Sequence, residues 1–174
     1  MAPPIPRGSA SGAIPRPGEG KRGPEGYLGY LLRQASGLVR GEMERALADL
    51  AVTPPQFTVL TMIAAYPGVS GAELARLTFL TPQTITVIVR NLLRGGAVEK
   101  TAHAGHGRIL QLTATARGLQ TLKRCRARVA EVEGRLAGLL GREDERAVRR
   151  WLAAVAEELG DERARDMAEA PPGR

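Results

Sequence analysis

The sequence predicts a mainly α-helical chain with one small two-stranded β-ribbon, and three observations carry that prediction. Apolar residues recur at spacings of three and four in long stretches toward both ends of the chain. Between residues 52 and 85 one helix-start pattern occurs three times, as VTPPQF (52–57), VSGAEL (69–74) and LTPQTI (80–85). A single stretch, 97–112, is instead built as two short runs about a turn-rich AGHG, with Leu110 and Leu112 alternating with polar Gln111.

Composition sets the outer bounds. A chain of 174 residues suits one domain with some extra length. With one Trp, three Tyr and two Phe, packing must rest on Leu, Val, Ile and Ala. The 25 Lys and Arg against 18 Asp and Glu leave a net charge of +7, which favours polyanions, nucleic acid before anionic membrane. A basic surface with no special partner is the plain alternative. Cys125 is the sole cysteine, so an internal disulfide is excluded and nothing points to an oxidising compartment. MAPPIPRGSASG at the N-terminus has no continuous apolar core of a signal peptide, and no apolar run approaches membrane-spanning length. A cytoplasmic location is expected.

Residues 1–24, rich in Pro, Gly and Ser with Arg7, Arg16, Lys21 and Arg22 against Glu19, are expected to form a basic tail without fixed structure. GEGKR within it is no phosphate loop, because Arg22 stands where Ser or Thr is required. From Leu28 to Leu50 the apolar spacing predicts a long amphipathic helix ending near Ala51. Each of the three repeated patterns has Ser or Thr at the N-cap, an apolar residue before it and another at the fourth helical position. Gln56 and Glu73 complete capping boxes in the first two, and Pro54 and Pro82 occupy the first helical position in the first and third. Three short helices should therefore begin near 54, 71 and 82.

The third is a test of propensity, because Thr84 to Val89 are six consecutive β-branched residues. Helix is still expected. Ile85, Ile88, Val89, Leu92 and Leu93 share one side of a helical wheel, and Gly95 and Gly96 provide a stop. AVEKTAH (97–103) and RILQL (108–112) then read as antiparallel strands. From Thr113, Leu119, Leu122, Cys125, Val129, Val132, Leu136 and Leu140 form a near-heptad stripe, and a last helix at about 143–159 carries Val148, Trp151, Leu152, Val155 and Leu159 on one face. These faces exceed what one small domain can cover, so a second copy of the chain is the expected partner. Residues 161–174 are expected to form an unstructured C-terminal tail.

Helix, turn, helix and a ribbon make a winged helix-turn-helix, whose second helix enters the major groove of DNA. Gln83, Thr86, Val87, Arg90 and Arg94 lie opposite the core side of that helix, with Thr84 beside its start. Gln pairs with adenine, Arg with guanine, Thr with several base edges, and a methyl group meets the thymine methyl. An ordinary solvated face would carry Glu and Lys, and this one has no acid. Arg108, after Gly107 on the returning strand, is placed to enter a narrow A·T-rich minor groove. His103 and His106 have too few companions for a zinc site, so no metal or other cofactor is expected. Cys125 falls on the apolar stripe, where a small buried residue fits better than a redox sensor. No Gly-x-Ser-x-Gly, no nucleophile beside a His and no paired carboxylates point to an enzyme.

From about Gly26 to Leu159 the chain resembles the MarR family of bacterial transcriptional regulators. TPQTITVIVRNLLRGGAVEK, the junction GHGRILQLTATARG and the flanking long helices carry the likeness. Arg108, Leu112, Thr113 and Gly118 match the family's wing pattern, but His106 stands where an Asp that orients the wing arginine is usual. A neutral His106 can accept a hydrogen bond in its place, and a protonated one would add a phosphate contact. The resemblance implies a MarR-type domain at 25–160, with a DNA-binding lobe at about 53–112 and dimerisation helices at about 26–51 and 113–160. It further implies a homodimer on a pseudo-palindromic double-stranded operator, acting as a repressor released by a small aromatic or phenolic effector. The competing expectation is a dimeric ligand-binding or protein-interaction module that keeps the fold without reading an operator.

Overall fold

The computed structural model of the chain describes residues 14–103 and 106–169, and its side chains outside 102–110 and up to 160. Residues up to Arg40 and those from Gly41 onward form two compact units.

In the first unit, part of the expected tail has structure. Gly20–Arg22 form a 3-10 turn, the Arg22 Nη1 donates to the Pro15 carbonyl at 2.9 Å, and the Gln34 Nε2 donates to the Arg22 carbonyl at 3.4 Å. Gln34 Oε1 accepts from Arg22 Nε and from the Tyr30 hydroxyl. A composition-based reading missed this because the partner, Gln34, lies 12 residues away in the first helix. That helix, α1, spans Leu28–Leu47 and passes into the second unit, where a 3-10 turn over Ala48–Leu50 ends on Ala51 at a φ of 53°.

The three short helices begin where the cap pattern places them: α2 at Pro54–Ala65, α3 at Gly71–Thr78 and α4 at Pro82–Arg94. Thr53 and Ser70 accept from the amides of Gln56 and Glu73, whose side chains in turn accept from the cap amides. Each pair satisfies two donors that the first helical turn otherwise leaves without partners. The Ser70 amide and hydroxyl hold the Glu73 carboxyl below its usual range. With the folded value depressed, the stabilisation is complete above the ordinary glutamate value of about 4.5 and is lost as pH falls through the folded value. The stability advantage of the parent over Glu73→Gln should therefore shrink below about pH 4.5 in thermal unfolding scans; an advantage constant across that range would mean that the charge is not involved.

β1, Val98–His103, pairs antiparallel with β2, His106–Ala114, in a register from Val98 opposite Ala114 to Ala102 opposite Leu110. β2 is thus longer at both ends than the expected 108–112. Leu112 also exchanges backbone hydrogen bonds with the segment before α3, its amide donating to Val69 and its carbonyl accepting from Gly68. The ribbon is thereby sewn to the helix-turn-helix.

α5 covers Ala116–Ala137, starting at the Thr115 cap and not at Thr113, which belongs to β2, and stopping at Gly138 before Leu140. α6, Arg142–Glu169, overturns the expectation of an unstructured tail from 161. DERARDMAE has neither Gly nor Pro, and Asp161 and Arg165 stand four apart, a favourable helical pairing. Residues 1–13 and 170–174 of the expected tails lie outside the described residues.

One core cluster joins Val59, Leu60 and Ile63 of α2, Leu74 of α3, Ile85, Ile88 and Leu92 of α4, Val98 and Leu112 of the ribbon, and Leu122 of α5. A second holds Leu47, Cys125 and Val129, flanked by Met43, Leu50, Val52 and Phe57. Cys125 is fully buried, and burial pushes its thiol pKa up, away from thiolate chemistry. Outside the clusters Leu28, Leu38, Trp151, Leu152 and Leu159 are exposed. Among the described residues no single helix is long and apolar enough to cross a membrane.

Candidate nucleic-acid interface

α4 resolves the conflict between β-branched propensity and helix signals through its ends and its buried side. Thr81 Oγ1 accepts from the Thr84 amide at 3.2 Å, and the two threonine hydroxyls lie 2.8 Å apart. At the other end the Gly95 amide donates to the Asn91 carbonyl, while Gly96 takes the positive φ, 67°, that turns the chain into β1. Ile85, Ile88 and Leu92 are buried, with Val89 and Leu93 packed against the same core. Burying each such side chain contributes about 1.5–3 kcal/mol, against a few tenths of a kcal/mol per residue lost to weak helix propensity.

The opposite side is free. Gln83, Thr84, Thr86, Val87, Arg90 and Arg94 are all exposed. Gln83, Thr86, Val87 and Arg90 stand at i, i+3, i+4 and i+7, neighbours on one strip of helix surface. The Thr86 hydroxyl donates to the Pro82 carbonyl at 2.9 Å, which leaves its methyl group and acceptor lone pairs to face outward. Donors on the strip are therefore the Gln83 amide and the Arg90 guanidinium, neither of which has a hydrogen-bond partner among the described residues. Arg94 lies roughly 16 Å beyond Gln83 along the helix axis, and its Nη2 donates to Asn91 Oδ1 at 2.6 Å. The backbones of His106 and Arg108 are on β2, and their side chains lie outside the described residues, as does that of His103.

Junctions hold this strip in place. The Thr115 hydroxyl donates to the Gly96 carbonyl at 2.6 Å, and its amide donates to Ala97. Gly118 is so close to the Ala97 carbonyl that an added Cβ would lie 1.9 Å from the oxygen. Between α3 and α4 the chain turns through Phe79, at a φ of 54° where few side chains are comfortable. The sequence gives no composition cue for that residue, since glycine is the usual occupant.

Three capped helices, the third with one buried and one bare side, and a ribbon sewn to them define a winged helix-turn-helix protein. The MarR family profile matches residues 52–109, from the start of α2 into the wing. Over 135 residues the chain is 38% identical to the HTH-type transcriptional repressor Rv2887 of Mycobacterium tuberculosis, covering 78% of this chain and 94% of that one. The crystal structure of Rv2887 with salicylic acid aligns with a TM-score of 0.61 at 37% identity, over 76% of this chain and 98% of that one. The repressor CouR of Rhodococcus jostii RHA1, solved on a 23-mer DNA duplex, aligns with a TM-score of 0.70 at 31% identity, over 75% and 92% of the two chains. The chain belongs to the MarR family.

Proposed function

We propose that the protein is a cytoplasmic, homodimeric transcriptional regulator that binds a pseudo-palindromic double-stranded operator and acts as a repressor released by a small aromatic or phenolic effector. The observation that carries this reading is the α4 strip: exposed, acid-free, and backed by a helix face wholly committed to the core. Rv2887 has been solved both with DNA and with salicylic acid, and CouR both on DNA and with p-coumaroyl-CoA. Regulators of this kind point away from an enzyme.

Gln83, Thr84, Thr86, Val87 and Arg90 are assigned to base edges. Arg94, tethered at the far end of the helix, is assigned to phosphate, and His106 and Arg108 to the wing's contact with the minor groove. In a two-fold dimer the paired recognition helices meet successive major grooves about 34 Å apart. The exposed apolar residues of α1 and α6 supply the dimer surface.

Selection of binding sites from random duplex DNA at two salt concentrations tests the whole reading. An inverted repeat with half-sites one helical turn apart is expected, whereas salt-sensitive retention without enrichment would favour the interaction module. On the selected operator, Arg90→Ala should cost about 1–3 kcal/mol and relax discrimination at one base pair. An equal loss on every duplex, measured by fluorescence anisotropy, would reassign Arg90 to phosphate.

A further inference from the structure

Two residues of the chain are poor choices for the backbone they occupy, and they touch. Phe79 caps α3 at a φ of 54° and a ψ of 24°, the left-handed region that a large side chain disfavours and glycine enters freely. Gly160 stands well inside α6, where alanine would strengthen the helix. A Cβ at Gly160 would lie 2.7 Å from Phe79 Cε1 and 3.1 Å from its Cζ, so glycine is what lets the edge of the ring reach the α6 backbone. Each residue accounts for the other.

Core packing does not explain the pair. Phe79 lies outside both core clusters and is 50% exposed. Its place in the chain matters more. Leu80, the next residue, packs against the core, and Thr81, one further, is the N-cap whose hydroxyl accepts from the Thr84 amide. A side chain held at Phe79 therefore fixes the point from which the groove-entering end of α4 starts. On the other side of the contact, α6 carries the exposed Trp151, Leu152 and Leu159. The ring and the glycine thus join that helix to the start of the one that presents Gln83 and Arg90.

We infer that Phe79 is a positioning residue for DNA reading: seated on Gly160, its ring ties the turn between α3 and α4 to α6 and sets the angle at which α4 is presented. A backbone outlier that burial does not repay is kept for what it positions. Glycine at 79 would relax the turn but leave nothing to bear on α6. Alanine at 160 would firm α6 but push the ring away from it. Because the ring is half exposed, it has room to swing aside, and the overlap is relieved by a shift of the turn and not by unfolding. The consequence for the operator rests on the regulator reading above; the contact itself does not.

Gly160→Ala in the full-length protein tests it, because alanine favours helix and a loss of binding then has no source in a weaker α6. The operator Kd, read by fluorescence anisotropy, should rise roughly tenfold, while stability in urea and the dimer dissociation constant stay at the parent's level or improve. Adding Phe79→Leu, a shorter side chain that makes room for the new methyl group, should restore most of the lost affinity, whereas two merely structural changes would add their losses. Hydrogen exchange on the free protein reads the contact without DNA: the amides of Leu80, Thr81 and Gln83 should exchange faster in Gly160→Ala. Parent-like operator affinity in Gly160→Ala overturns the proposal, as does a double variant no better than the single one. A dimer weakened as much as operator binding also overturns it, since Gly160 then acts between copies. Unchanged exchange at the turn overturns it whether or not an operator is found, so the contact and the regulator reading fail separately.

Discussion

Gly118→Ala should destabilise the protein by about 3 kcal/mol, at the upper end of what overpacking costs, and should weaken DNA binding with it. The new Cβ would stand 1.9 Å from the Ala97 carbonyl oxygen and 2.9 Å from its carbon. Both are backbone atoms, so no rotamer change relieves the overlap. Ala97 is also where the Thr115 amide bonds, and the Ala97 amide donates to Leu92 of α4. Separating α5 from Ala97 therefore strains the end of the recognition helix and the start of the wing together. Urea unfolding measures the first effect, and operator titration at a temperature where the variant is still folded measures the second. Parent-like stability would mean that the junction can open without loss, and that α5 is not rigidly tied to α4.

Trp151→Ala should raise the dimer dissociation constant by about 30- to 1000-fold, the range of 2–4 kcal/mol typical of a buried aromatic anchor. Trp151 is the chain's single tryptophan and is 39% exposed, with Leu152 at 45% and Leu159 at 60% on the same helix. The dimer proposed above would cover these side chains, which one copy leaves exposed. Analytical ultracentrifugation reads the constant directly. Operator affinity should fall in parallel at nanomolar protein, because one recognition helix alone reads half a site. A dimer of unchanged strength would move the interface away from this part of α6.

Local chemistry was highly legible in the sequence. Thr53, Ser70 and Thr81 announce their helices because a cap is a contact between residues three apart, and both partners are visible in one short window. The buried side of α4 was legible for the same reason, one helix period being enough to separate Ile85, Ile88 and Leu92 from Gln83, Val87 and Arg90. What escaped was settled at longer range or against local bias. Gln34 orders the segment around Arg22 from another element, Leu112 bonds to Val69 across the fold, and Phe79 takes a left-handed conformation that its side chain disfavours. The α6 extension was misread for another reason. Charged, apolar-poor DERARDMAE resembles a solvated tail in composition, while its lack of Gly and Pro lets the backbone of α6 continue through it.

The division of labour on α4 also bears on how such a protein can diverge. Thr81, Thr84 and Thr86 spend their hydroxyls on the helix itself, while Ile85, Ile88 and Leu92 belong to the core. Gln83, Val87 and Arg90 do neither. Mutation at these three positions is nearly uncoupled from folding, so a duplicated gene could drift through new operator preferences without first acquiring stabilising changes elsewhere. The scaffold is inherited as a constant, and three side chains form a rewritable address.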